Sequence, residues 1–290
     1  MIDKPRRKKY LNNADLLREI HKSKMSFCWL LDEEYSMYDY IVFDESEITE
    51  ELLEKAQQLR IKRLNAALVL KIQSERNCGP KKSKQIIQDE QLSFSEDNTP
   101  LDEVVIRVIT DVHIPTEIVK GKEEKIKTNF ESFKQYIVDN EGELCEVARS
   151  HWFGDLDDGV FTQTSGRLTN ELGKMFIKLA EQISHKGNYR NYTYVDEMRG
   201  FALTQLVKKA LLFKESKFFD PVKPVAQLNP FAYYTSFIDN TFFSVLNTEK
   251  RVRNTRDDLL EAYGFNPSHT RQVEIEMQMI EDRKARRGTV

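Results

Sequence analysis

Asn229-Pro230 followed by FAYYTSFIDNTFFSVLNTEKRVR leaves the backbone few options. Asn is a preferred helix cap, and Pro fits the first helical position, where no amide donor is needed. The pattern predicts a helix from Asn229 to about Arg253, with 255–263 as a further short helix. Stepped at about 100° per residue, Tyr234, Phe237 or Ile238, Phe242 and Val245 make an apolar stripe that faces a core. A second face carries Tyr233, Phe237, Asn240, Ser244, Asn247 and Arg251 within about one quadrant. Lys250, Arg251, Arg253 and Arg256 follow the aromatic cluster. Aromatic rings stack on unpaired bases, Asn reads base edges, and Lys and Arg neutralise phosphates. An aromatic stripe at this spacing is usually the mark of a core. A cationic run after a helix is usually a solvated end that complements its carbonyls. Both readings stand at this point.

The bulk charge narrows the choice. The 44 Lys and Arg residues face 47 Asp and Glu residues, so net charge is −3 and any nucleic-acid contact must rest on local patches. No apolar run approaches the ~20 residues of a membrane span, and MIDKPRRKKYLNN has no apolar segment behind it. Cys28, Cys78 and Cys145 are too scattered for a zinc site or a disulfide framework, which fits a reducing cytoplasm. Asp155, Asp157 and Asp158 beside His151 match no metal motif and read as an acidic loop. Phosphate loop, dinucleotide turn and nucleophile elbow are all missing from the sequence. The expectation is a non-enzymatic protein with no cofactor and no metal.

Along the chain, Asn12-Asn13 offers a cap for a helix bearing Leu16, Leu17 and Ile20 on one face. Residues 26–43 suggest a strand or two, and 46–76 a long helix. Cys78 to Pro100 reads as a linker, 104–119 as β-rich, 122–140 as helical, and 142–155 as a short strand or turn. Two amphipathic helices follow. Leu172, Phe176, Leu179, Ala180 and Ile183 mark 169–184, and Met198, Ala202, Leu206, Ala210 and Phe213 mark 195–213. A proline-stiffened loop leads to Asn229, and the tail from Ser268 is polar and charged, helical in pattern or disordered.

Tyr192-Thr193, Glu197-Met198, Asn229-Pro230, Ala232-Tyr233, Thr235, Asn240 and Phe242 occur in an order that resembles the late-transcription sigma factors of T4-type tailed bacteriophages. RSHWFGDLDDGVFTQTSGRLTNELGKMF, TYVDEMRG and RDDLLEAYGFNPSHTRQ look like the marine and cyanobacterial phage versions. KKYLNNADLLREI is similar to the family's opening segment. The resemblance covers 145–272 and, more thinly, 1–24.

It implies a mostly α protein, with a basic arm and helix at 1–25, a sigma-like helical domain at 145–268 and a charged tail at 269–290; the segment 26–144 departs from the short family members and reads as a mixed α/β insert. It implies a phage-encoded specificity subunit that binds host core RNA polymerase, in the host bacterial cytoplasm, and directs it to AT-rich late promoters. Glu197, Arg199, Gln205, Lys208, Lys209, Asn229 and Phe231 would meet the β′ clamp helices of the polymerase. Tyr233, Thr235, Phe237 and Asn240 would hold the melted promoter strand, with Lys250, Arg251, Arg253 and Arg256 on its phosphates. The family also docks on the DNA sliding clamp through an apolar, acidic C-terminus. Here the tail ends basic, with Ile275, Met279 and Ile280 as its apolar anchor, and EQLSF at 90–94 resembles a clamp-binding peptide. A polymerase-binding regulator that does not read the promoter is the rival reading.

Overall fold

The computed structural model describes residues 11–139, 141–219 and 229–287. The basic arm at 1–10 and most of the proline-bearing loop, at 220–228, lie outside them. Helix α1 (Asn13–Met25) begins where Asn12 Oδ1 accepts the Asp15 amide at 2.7 Å. Leu16 and Ile20 on its inner face are fully buried. Strands β1 (Cys28–Leu30) and β2 (Tyr40–Val42) follow, then α2 (Glu50–Glu75) and α3 (Pro80–Asp89). Next come β3 (Ile106–Ile109), β4 (Thr116–Val119), β5 (Lys122–Lys125), β6 (Phe133–Val138), β7 (Leu144–Ser150), β8 (Trp152–Phe153) and β9 (Val160–Phe161). The remaining elements are helical: α4 (Asn170–Ser184), α5 (Val195–Lys209), α6 (Pro230–Ala262) and α7 (His269–Arg287).

Five strands form one mixed sheet in the order β1-β7-β6-β3-β2. Only β2 and β3 are parallel neighbours. A parallel pair needs a long crossover, and α2 and α3 supply it. Side chains alternate between the two faces of the sheet. Val42, Val104, Ile106, Val108 and Tyr136 bury one face against Leu53 and Ala56 of α2. Tyr38, Ile41, Val105 and Val147 bury the other.

This corrects the expected class. Among the described residues the chain has seven α-helices, a five-stranded mixed sheet and two small two-stranded sheets. It is an α/β fold rather than a mostly α one. The physical reason is non-local pairing: Cys28 pairs with Ser150 and Tyr40 with Ile106, so short strands far apart in sequence share one core. The expected boundary between residues 144 and 145 falls inside β7.

Other elements also differ from expectation. The 78–100 segment holds α3, which starts at Gly79-Pro80 and buries Ser83 and Ile87. The 122–140 segment is β5 and β6, not a helix. Lys120 and Gly121 both have positive φ, 52° and 78°, the two-residue turn that folds β4 onto β5. Helix α5 ends at Lys209, and α6 continues unbroken to Ala262, because neither Gly nor Pro intervenes before Gly264.

The chain divides into two compact units, residues 1–179 with 206–234, and residues 180–205 with 235–290. The first holds the sheet. In the second, Tyr189 packs edge-on against Phe242 at 4.9 Å, and its hydroxyl donates to Asp239 at 3.2 Å. Ile183, Met198, Ala202 and Ile238 are buried there. Helix α7 is tethered to α6 at its start: the Ser268 amide and hydroxyl donate to buried Asp257 at 3.2 and 2.6 Å. Among the described residues no helix is long and apolar enough to cross a membrane.

Candidate nucleic-acid interface

The start of α6 is fixed by two asparagines in the first unit. Exposed Asn229 accepts the Ala232 amide at 3.0 Å, and Asn13 accepts the amide of half-buried Phe231 at 3.0 Å. The next two aromatics divide. Tyr234 is buried, stands 5.0 Å from the Phe176 ring and donates its hydroxyl to the Ala210 carbonyl. Tyr233 is half-buried, edge-on to Phe213 at 5.5 Å, and burial raises its phenol above the ordinary range.

In the second unit, Thr235 Oγ1 is buried and has no hydrogen-bond partner among the described residues. Beyond it the expected two-faced character is present. Ile238 and Phe242 are buried, Phe237 is half-buried, and Asn240, Ser244, Asn247 and Arg251 are exposed. These last five lie within about 80° of arc. The cations do not all join them. At about 100° per residue, Lys250, Arg253 and Arg256 point roughly 100° to 160° away from Arg251. Arg253 is half-buried, and Arg256 bonds Asp257 at 3.2 Å.

Of the residues expected to meet polymerase, Asn229 and Phe231 stand at the start of α6 and the other five are spread along α5. Glu197 is exposed, Arg199 is half-buried and paired with Asp196, and Gln205 is half-buried. Lys208 and Lys209 are exposed in the last turn, where positive charge complements the helix carbonyls. His151 does not join the acidic loop: it is fully buried, 4.2 Å from the Phe130 ring, while Asp155, Asp157 and Asp158 are exposed.

The strongest electrostatic feature of the first unit was not foreseen. Glu215, 4% exposed, accepts Lys24 Nζ at 2.8 Å, the Tyr38 hydroxyl at 2.6 Å and Arg107 Nη1 at 3.4 Å. The Arg107 guanidinium lies between the Tyr38 and Phe133 rings, 3.8 and 3.9 Å from their centres, and donates twice to buried Gln135. Burial pushes the Glu215 carboxyl up, but Lys24 and Arg107 outweigh it and hold it well below the usual carboxylate range. Burial lowers nearby His21 to about 4, with Arg107 and Lys24 adding to the effect against Glu215. Beside this cluster, α1 and α2 border a cavity of about 740 Å³ whose walls include Leu17, Met25, Met37, Leu59 and Leu70. No sequence signal marks the cluster, because Arg107 stands 83 residues from Lys24 and 108 from Glu215.

No protein-family model, no curated protein and no solved structure matches the chain.

Proposed function

We propose that the chain is a sigma-type initiation factor that binds host bacterial core RNA polymerase and directs it to AT-rich late promoters. The observation that supports the reading is the face of exposed Asn240, Ser244, Asn247 and Arg251 beside half-buried Phe237, set apart from the buried stripe of the same helix. It offers a ring for stacking, amides for base edges and a cation for phosphate. The resemblance to phage late sigma factors supplies the polymerase, the promoter class and the sliding clamp as a further partner. AT-rich DNA suits a small reader of this kind, since flexible TA steps unstack at low cost.

Two observations favour a second reading, a polymerase-binding regulator that never reads the promoter. The Thr235 hydroxyl is buried, and three of the four cations after it leave the face. Run-off transcription separates the two. The full chain is mixed with bacterial core polymerase and a supercoiled template carrying an AT-rich late-type promoter. Specific initiation by the parent, lost in Asn240→Ala/Arg251→Ala while polymerase pull-down and thermal unfolding stay unchanged, supports promoter reading. Polymerase capture with no specific initiation by the parent supports the regulator. No capture at all refutes both. Free chain should bind DNA weakly and in a salt-sensitive way, because its net charge is −3.

A further inference from the structure

The second unit carries two apolar surfaces that neither of its own long helices covers. On the last turns of α6, Val252, Leu259 and Tyr263 fall within about 40° of arc. They are 59%, 55% and 78% exposed. With Leu260 and Phe265 they line an open groove of about 570 Å³, edged by Arg251 and Arg256. Arg251 has no ion-pair partner among the described residues, and Arg256 has only its neighbour Asp257.

Helix α7 carries the opposite pattern. Up to Asp282, Val273, Met277 and Ile280 fall within about 60° of arc, flanked by Glu276 on one side and Glu281 and Glu274 on the other; Arg283 and Lys284 then bring positive charge to the same side at the end of the helix. Met277 and Ile280 are 61% and 50% exposed. None of the three glutamates has an ion pair among the described residues. Among the described residues, the hydrogen bonds and ion pairs between α7 and α6 are at its first turn, where Ser268 meets Asp257 and Arg271 meets Asp258 and Glu261.

We infer that the α6 groove is the seat of α7 from a second copy of this chain. An apolar groove with cationic edges meets an apolar stripe with anionic edges, so burial and charge agree on one partner. Each copy offers both halves, so the exchange is reciprocal and closes as a two-fold dimer. The acidic stretch 274–282 of α7 then occupies Arg251, the cation that the proposed DNA contact uses, and the dimer and the DNA-bound form exclude each other. The dimer itself does not depend on the sigma reading, and its test contains neither DNA nor polymerase.

The test is light scattering on size-separated full-length chain from low to high micromolar concentration. A dimer of the 34.1 kDa chain is expected. Arg251→Glu/Arg256→Glu and Glu276→Lys/Glu281→Lys should each weaken self-association at least about tenfold. Mixing the two variants should restore a heterodimer, visible when each copy bears a different tag. A parent chain that stays monomeric overturns the inference, as does a Leu259→Cys/Met277→Cys disulfide that forms only within one copy. So does a dimer that survives both charge reversals.

Discussion

Glu215→Gln keeps the volume of the side chain and removes its charge. In the parent, one buried carboxylate balances two buried cations, Lys24 at 2.8 Å and Arg107 at 3.4 Å. Lys24 is 3% exposed and Arg107 2%, so neither can turn to water without opening the core. Breaking a buried pair by removing one partner costs about 3–5 kcal/mol, chiefly because the surviving charge is stranded. Here two charges are stranded, so the upper half of that range is expected. At roughly 2–4 °C per kcal/mol, the melting temperature falls by about 8–20 °C. Urea unfolding followed by circular dichroism measures it directly. Lys24→Met added to Glu215→Gln removes one stranded cation. The double variant should therefore lose less than the sum of the singles, by about 0.5–3 kcal/mol. The same carboxylate sets an acid limit. Its folded pKa lies below its unfolded value, so its contribution is present above about pH 4.5 and fades as pH falls further. The Gln variant should lack that share of the acid loss. A Glu215→Gln midpoint within about 1 kcal/mol of the parent would refute the reasoning, because the cations would then be solvated or paired elsewhere.

His21 and His151 are held at about 4, below the ordinary 6.5, mainly by burial. The unfolded chain takes up protons first as pH drops through about 6.5, so stability should decline between pH 6.5 and 4, by on the order of 2 kcal/mol per histidine at pH 5. Urea midpoints that stay flat from pH 7 to 5 would contradict this. Asn12→Ala removes the cap of α1 and should cost about 1 kcal/mol, read as a shifted midpoint with an unchanged slope.

The sequence revealed what local chemistry decides. The Asn12 and Asn229 caps, the α4 stripe Leu172-Phe176-Leu179-Ile183 and the α5 stripe Met198-Ala202-Leu206 were all legible, and all of those stripe residues are buried. Helical spacing fixes a face within a few turns, so no distant partner is needed to see it. The sheet was only half legible. Strand character at 26–43 and 104–119 could be read, but three-residue strands such as Cys28–Leu30 carry no sign of where they pair. Lys122–Lys125 reads KEEK, which suits a helix, and a turn with two positive φ values overrides it. The α6 face was legible as a pattern. Its basic run was not resolved into directions, because the helix was expected to end near Arg253 and instead continues through Arg256 to Ala262. The Glu215 cluster was invisible, since it joins α1, β3 and the segment after α5 through side chains alone.

That same long-range construction determines which piece of the chain can be tested. The resemblance points to 145–268, and a fragment with those ends is the natural first choice for a polymerase assay. The fold argues against it. β7 pairs with β1 on one side and β6 on the other, and the cut removes both. Val147 and Ala148, fully buried in the whole chain, would face solvent on an unpaired strand. Glu215 would lose Lys24, Tyr38 and Arg107 together. The Phe231 amide would lose Asn13, which supports the start of the helix that carries the proposed reading face. The fragment should therefore melt without a cooperative transition, and fail to capture polymerase even if the whole chain succeeds. Calorimetry on both proteins decides the matter. A single sharp transition from the fragment would mean that the helices carry their own core and that the sheet is an accessory to them.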